Sequence, residues 1–307
     1  MNFTLHQLQV FNKVAELQSI TKAAVALHLT QPAVSIQLKN FQEQFPIALT
    51  EVVGRRLYIT DFGQEIAAAS RKTLEALEAI NYKTLAFQGE LAGRLRFSIV
   101  STGKYVMPYF LTDFITEHPG VELTMDVTNK ARVVESLESN STDFALVSVI
   151  PEKLNIQRVE LMENRLFYVV SPTFSLPEHS TNQSLIESVP LIFREPGSAT
   201  RKAMEEYIGL SGYQVNQNLE LTSNEAVKQA VIAGLGASIM PLIGIKNAVA
   251  NGDLRVIPLE GLPIRTTWNL IWLASKNLSP VAVAYLAYIE RNKDTIMHQH
   301  FKWFANY

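Results

Sequence analysis

Ser19-Ile-Thr21-Lys-Ala23-Ala24-Val-Ala-Leu27-His28-Leu29-Thr30-Gln31-Pro32-Ala33-Val34-Ser35-Ile36-Gln37-Leu38-Lys39-Asn40-Phe41 decides how this chain is read. Ser19 or Thr21 caps a short helix that turns Ala23, Ala24 and Leu27 inward. Thr30 caps the next helix, with Pro32 in its first turn, where a missing N–H costs nothing. The turn at His28-Leu29-Thr30 is too short for anything but close packing of the two helices. Val34, Leu38, Phe41 and Phe45 make one apolar arc, at i, i+4, i+7 and i+11. The opposite arc presents Pro32, Ser35, Ile36 and Lys39, with Gln31 and Ala33 at the open N-terminal end. That end carries backbone N–H groups and a partial positive charge suited to phosphate. Gln can bond adenine there, and Ala can meet a thymine methyl. Two readings fit: the recognition helix of a helix-turn-helix, and a capped helical hairpin of any bundle.

Upstream, Leu5, Leu8, Phe11, Val14 and Leu17 recur every three residues, a stripe that drifts around one helix. Downstream, Leu57-Tyr58-Ile59-Thr60 is an extended run after Gly54-Arg55-Arg56, which predicts a small hairpin. Phe62 to about Gln88 predicts a long helix carrying Ile66, Leu74, Leu77, Ile80 and Leu85. After Gly89 and Gly93 the period changes. Arg94–Val100, Val121–Val127 and Phe144–Val149 read as strands, with helices over Val106–Glu117 and Ala131–Ser139. Strands resume at Leu166–Val170, Leu191–Phe193, Gln217–Leu221 and Ala237–Met240, with helices after Ser198 and up to Ala233. This alternation predicts a parallel sheet with helices on both faces.

The 307 residues suit two or three folding units, and 47% hydrophobic with 18% charged residues exclude disorder and fibrous coiled coil. No cysteine is present, which excludes disulfides, a cysteine nucleophile, iron–sulfur clusters and thiolate zinc. Met1 to Gln7 lacks the basic flank and apolar run of a signal peptide. The longest apolar stretch, Ala230 to Ile245, is broken by Gly234, Gly236, Pro241 and Gly244 and is too short to span a bilayer. A soluble cytoplasmic protein with no membrane partner is expected. Residues 1–88 carry eight Lys/Arg against seven Asp/Glu, and the remainder 19 against 22. Nucleic-acid-binding domains are often far more basic, so a DNA-binding reading rests on pattern. The six histidines show no His-Glu-x-x-His spacing, and there is no Gly-x-Ser-x-Gly, Walker A or Gly-x-Gly-x-x-Gly sequence. No catalytic residue, metal or cofactor is expected.

Phe11-Asn-Lys-Val-Ala-Glu-Leu-Gln-Ser19, Ala23-Ala24 through Thr30-Gln31-Pro32-Ala33-Val34-Ser35, and Gly54-Arg55-Arg56-Leu-Tyr-Ile-Thr60-Asp-Phe-Gly63 resemble, in order and spacing, the DNA-binding head of LysR-type transcriptional regulators. The body resembles theirs too. The resemblance implies an α/β fold behind an N-terminal all-α winged helix-turn-helix, with a two-lobed effector domain like a periplasmic binding protein. It divides the chain into a DNA-binding head at 1–60, a dimerising linker helix at 61–89 and an effector domain at 90–307. Lobe I would hold 90–163 and 266–307, and lobe II 164–265. Double-stranded operator DNA would meet Gln31, Pro32, Ala33, Ser35, Ile36 and Lys39, with Arg55 and Arg56 on phosphates or in the minor groove. The alternative for the two arginines is a solvated turn. A homodimer or tetramer is implied, with Ile66, Leu74, Leu77 and Ile80 as the seam, and RNA polymerase is a candidate partner. The head departs from the family at Leu49-Thr50-Glu51-Val52, where Leu-Phe-Glu-Arg is usual, and at Pro46, where glycine is expected.

Three helix starts in the body follow strands and carry hydroxyls: Ser101-Thr102-Gly103-Lys104, Gly197-Ser198-Ala199-Thr200-Arg201 and Thr222-Ser223-Asn224-Glu225, the last with a capping box between Thr222 and Glu225. Ligands of open parallel sheets bind beyond the carboxyl ends of the strands, where helix starts favour anions. Ser101, Thr102, Lys104, Arg194, Ser198, Thr200, Arg201, Thr222 and Asn224 are therefore the candidate site for a small anionic effector. Each start can equally be only a cap, and Arg194 and Arg201 can simply pair with Glu195, Glu205 or other acids. Within the family these segments look most like the regulators of carbon-fixation operons, a subgroup associated with phosphorylated or otherwise anionic metabolites. A solute-binding protein with a helical appendage, and an enzyme on the same two-lobed fold, are the rival readings.

Overall fold

The computed structural model describes residues 2–54, 56–87, 90–174, 181–215 and 219–307. Residues 1–90 and 91–307 form separate units.

In the first unit, helix α1 (Leu5–Leu17) opens with a capping box in which Thr4 and Gln7 bond each other's backbone N–H. Its stripe buries Leu8, Phe11 and Val14, and Gln18 ends it in the left-handed region at φ 46°. Ser19 caps α2 (Ile20–Ala26), and Thr30 caps α3 (Gln31–Gln42). The buried face of α3 is Val34, Leu38 and Phe41, and the Phe41 ring meets Phe11 at 5.0 Å and Phe45 at 5.1 Å. Strands β1 (Thr50–Val53) and β2 (Arg56–Ile59) pair antiparallel, with Thr50 opposite Ile59. Thr60 donates its hydroxyl to the Ala48 carbonyl and accepts the Gly63 N–H, which starts α4 (Asp61–Phe87). A Cβ at Gly63 would lie 2.0 Å from the Leu49 carbonyl oxygen, so only glycine lets the chain cross there. Ile66 and Leu74 of α4 pack against the head's core.

The second unit runs β3 (Ala92–Val100), a 3-10 turn (Ser101–Tyr105), α5 (Met107–Glu117), β4 (Gly120–Thr128), α6 (Lys130–Glu138), β5 (Phe144–Val147) and β6 (Ile156–Val170). It continues through α7 (Asn182–Glu187), β7 (Ile192–Arg194), α8 (Ala199–Ser211), β8 (Leu219–Leu221), α9 (Asn224–Ile232), β9 (Ser238–Pro241) and α10 (Leu242–Ala250). It closes with β10 (Arg255–Ile257), β11 (Ile264–Leu273), α11 (Pro280–Phe301) and a 3-10 turn (Lys302–Asn306). The main sheet has the order β10-β6-β11-β5-β3-β4, with β9 also on β6, and β7 pairs with β8 apart from it. The expected parallel sheet is only partly found. β3 runs parallel to β4 and β5, but β11 is antiparallel to β5 and β6, as are β9 and β10 to β6.

The reason lies in β6. Only Leu166–Val170 reads as a strand in the sequence, because Gln157, Arg158, Glu160, Glu163 and Arg165 hide the extended half before it. In the structure β6 spans 15 residues. Its first part pairs with β11 from Ile156↔Leu273 to Leu166↔Ile264, and its last residues pair with β9 and β10. One core gathers around Phe97, Phe144 and Tyr285, whose rings lie 5.3 to 5.7 Å apart. A second gathers around Tyr168, Phe193 and Met204, wholly from residues 166–259. The first core also takes in Val227, Val231 and Leu242 from α9 and α10.

Candidate functional site

On α3, Gln31, Pro32, Ser35, Ile36 and Lys39 are exposed and Ala33 is half-buried. Ile36 is 56% exposed, an apolar side chain on the polar face of its helix. The helix start offers fewer N–H groups than its position suggests: Thr30 takes the Ala33 N–H at 3.3 Å and Pro32 has none. Side chains therefore carry more of any contact there than the helix dipole does. Lys39 lies 3.8 Å from Glu43, an exposed pair that yields readily to a stronger anion. Arg56 is exposed on β2, opposite Val53, and Arg55 lies outside the described residues. The family departure at Leu49–Val52 keeps its packing. Leu49 is fully buried, and the Thr50 hydroxyl donates to Gln42 at the end of α3, tying β1 to that helix.

In the body, Ser101, Thr102, Arg194, Ser198, Thr200 and Asn224 line one cleft. Thr128, Asn129, Lys130, Ser148 and Glu195 join them. Sequence reasoning missed these five, although Thr128-Asn129 and Ser148 end or follow strands by the same rule that singled out Ser101. The cleft holds about 20 Å³, room for about one water. Its polar groups are deeply set: Thr102 is 5% exposed, Arg194 5%, Ser198 7% and Asn224 3%. The Asn224 Oδ1 has no hydrogen-bond partner, which at that burial leaves an acceptor uncompensated.

The cations are arranged unevenly. Arg194 is held by Glu195 in a bidentate pair at 2.7 and 2.8 Å, so its charge is matched within the cleft wall. Arg201 bonds Glu205, Glu220 and the Arg194 carbonyl, and the carboxylates, Glu205 first, hold its pKa above the usual value. It lines a neighbouring pocket of about 400 Å³ with Lys130, Gly197 and Lys202. Burial, then the Lys202 ammonium, hold Lys130 below the ordinary lysine range. Burial is the larger of the two causes, and Glu152 and Glu206 act the other way. Lys104 turns away from the cleft, its ammonium 5.1 Å from the Tyr105 ring. Thr222 is not part of the lining, and the expected capping box fails, because α9 starts one residue later and Ser223 accepts the Ala226 N–H. Glu225 is thereby turned to the Tyr105 hydroxyl at 3.2 Å and to Lys228 at 2.8 Å. Burial and Glu225 push the Tyr105 hydroxyl up to about 12. Among the described residues no group of three or more His, Asp or Glu is placed to hold a metal, and no helix is long and apolar enough to cross a membrane.

Comparison with known proteins divides the chain at the same place. Residues 5–64 match the bacterial regulatory helix-turn-helix protein, lysR family, and residues 88–293 match the LysR substrate binding domain. The chain belongs to the LysR family of transcriptional regulators. Among its LysR relatives, the HTH-type transcriptional activator CmpR of Synechocystis sp. is 36% identical over 96% of this chain and 97% of that protein. A RuBisCO operon transcriptional regulator of Allochromatium vinosum is 34% identical, over 94% of this chain and 96% of its own. These relatives place the chain with the carbon-fixation regulators, as a DNA-binding transcriptional regulator and not an enzyme. The regulatory domain of CcmR from Synechocystis PCC6803, solved in complex with 2-PG, matches at TM-score 0.60 and 31% identity, over 64% of this chain and 95% of that one. Full-length CbnR, solved with its target DNA, shares the LysR fold at TM-score 0.67 and 20% identity, over 94% of this chain and 99% of that one.

Proposed function

We propose that this LysR regulator reads a two-fold operator through α3 and the β1–β2 wing, under control of a small phosphorylated or otherwise anionic metabolite in the Thr102–Asn224 cleft. The observation that carries the ligand reading is the set of helix starts converging on that cleft, with the Lys130 side chain at its edge. The CcmR relative crystallised with 2-PG supports the ligand class, since 2-phosphoglycolate carries both a phosphate and a carboxylate. Thr102, Ser101, Ser198, Thr200, Asn224 and Lys130 are the residues assigned to it. Arg194 acts through its pair with Glu195, and Arg201 and Lys104 take no direct part.

The domain division follows: a head at 1–60, a linker helix at 61–89 and an effector domain at 90–307. Its lobes are 90–163 with 266–307, and 164–265, and β6 and β11 are the segments that pass between them. A ligand that prefers one lobe arrangement shifts the population toward it. Dimers form through α4, higher assemblies and RNA polymerase contact follow on DNA, and the protein acts in the cytoplasm, where the operator is.

A gel shift with the gene's own upstream region tests the DNA half of this reading. Gln31→Ala and Ser35→Ala should each weaken specific binding by about 1–3 kcal/mol per lost base contact. Unchanged affinity in both defeats the recognition-helix assignment. Calorimetry with 2-phosphoglycolate on wild type and Thr102→Val tests the ligand half, with a loss of about tenfold expected for a buried hydrogen bond to a charged group.

A further inference from the structure

A second pocket of the body, of about 380 Å³, lies between the 3-10 turn Ser101–Tyr105, the start of α5, helix α10 and the C-terminal end of α11. It shares no lining residue with the cleft. Its volume falls in the range of small-molecule sites. Three lysines converge on it: Lys104, Lys228 and Lys246.

Their charges are unequally matched. Lys228 is paired with Glu225 at 2.8 Å. That carboxylate is fully engaged, since it also accepts from Gln229 at 3.1 Å and from the Tyr105 hydroxyl at 3.2 Å. Lys104 and Lys246 are both half-buried, and among the described residues neither makes an ion pair. Each ammonium lies instead over a ring, Lys104 at 5.1 Å from the centre of Tyr105 and Lys246 at 4.4 Å from that of Trp303. A ring face compensates a cation more weakly than a carboxylate does. At Gly244 a Cβ would stand 3.2 Å from Tyr105 Cε2, so that ring packs hard on α10 and the pocket floor is fixed.

The chemistry of the donors selects the ligand. The lining holds no arginine, hence no planar fork for two-point recognition of a single carboxylate or phosphate, and its cations are separate points. It offers lysine ammonium groups, which act as point charges and suit the tetrahedral oxygens of phosphate. We propose that this pocket is a second anion site, which takes a small phosphate-bearing metabolite with two or more negative charges between Lys104 and Lys246. It stands whichever ligand the cleft takes.

The test uses the full chain with the cleft disabled by Thr102→Val and Ser198→Ala, titrated with pyrophosphate in a calorimeter. One pyrophosphate should bind per chain. Lys104→Gln and Lys246→Gln should each weaken it by about tenfold, the loss of a charge-assisted bond. Lys246→Arg, which keeps the charge, should retain most of the affinity, and Lys153→Gln, an exposed lysine outside the pocket, should leave it unchanged. Near-ultraviolet circular dichroism checks that each variant keeps its packing. Absence of pyrophosphate binding, binding indifferent to both pocket lysines, or an equal loss in Lys153→Gln overturns the proposal. None of these results bears on the cleft, which the loss of 2-phosphoglycolate affinity in Thr102→Val tests.

Discussion

Asp143 is 4% exposed and meets Lys276 at 3.3 Å, and the lysine also donates to the Asn140 side chain and the Thr142 carbonyl. That ammonium thus bonds two neutral oxygens beside the carboxylate. Without Lys276 the Asp143 carboxylate keeps only the Arg96 guanidinium at 3.6 Å and the Arg96 N–H at 2.8 Å, so Lys276→Met should cost about 1–3 kcal/mol. Thermal unfolding followed by circular dichroism measures it, and a shift within error would show that the pair is solvated. Lys130 behaves differently, because burial, more than the nearby Lys202, disfavours its charge. Its lowered pKa means that the charged form is disfavoured in the folded chain, and that strain is relieved as pH rises through the folded value. A bound anion reverses the preference, so affinity for 2-phosphoglycolate should be steady near neutrality and fall as Lys130 deprotonates, below the roughly 10.4 of an ordinary lysine. Calorimetry across the alkaline range measures the fall. Lys130→Met should abolish that limb, and a limb that persists in the variant removes Lys130 from the site.

At the scale of elements, α4 illustrates how one apolar stripe serves two ends. Ile66, Leu74, Leu77 and Ile80 read as a single seam, but Ile66 and Leu74 are partly spent on the head's own core. Leu77 is half-buried and Ile80 is 60% exposed. Substitution at Leu74 would damage the head, whereas Leu77→Glu with Ile80→Glu tests association alone. That double variant should sediment as a monomer that keeps its helical circular dichroism, and a normal dimer from it places the seam elsewhere. The helix is long enough for the role. Its 27 residues span about 40 Å, against the 34–36 Å between successive half-sites on DNA.

For the whole molecule the cleft volume matters most. About 20 Å³ admits a water and not a phosphorylated metabolite, so ligand entry requires the walls of the cleft to part. The Tyr105–Glu225 bond, which links the turn after β3 to α9, must adjust in that movement or hold against it. Stopped-flow tryptophan fluorescence on mixing with 2-phosphoglycolate should give an observed rate that levels off at high ligand, because opening precedes binding. A rate that climbs linearly toward the diffusion limit would mean that the cleft is open in solution.

The head was legible from residues alone because its determinants are local. Caps at Ser19 and Thr30, the arc Val34-Leu38-Phe41 and the Gly54 hairpin all act within a few residues of one another, and the resemblance only supplied their purpose. The strand-end hydroxyls of the body were legible for the same reason. What the residues could not reveal is where each side chain turns. A 3-10 turn advances about 120° per residue, so Thr102 and Lys104, two apart, face different pockets. Whether Arg201 would hold an anion or pair with acids was open in the sequence, and the β7–β8 pairing decided it by bringing Glu220 beside it, 19 residues along the chain. β6 became one long strand because β11, about a hundred residues later, supplies the hydrogen bonds that its charged first half cannot supply for itself. Short-range chemistry determined the helices of the head and their caps; partner choice across the chain decided the extent and direction of β6, the closure of the cleft and the second pocket.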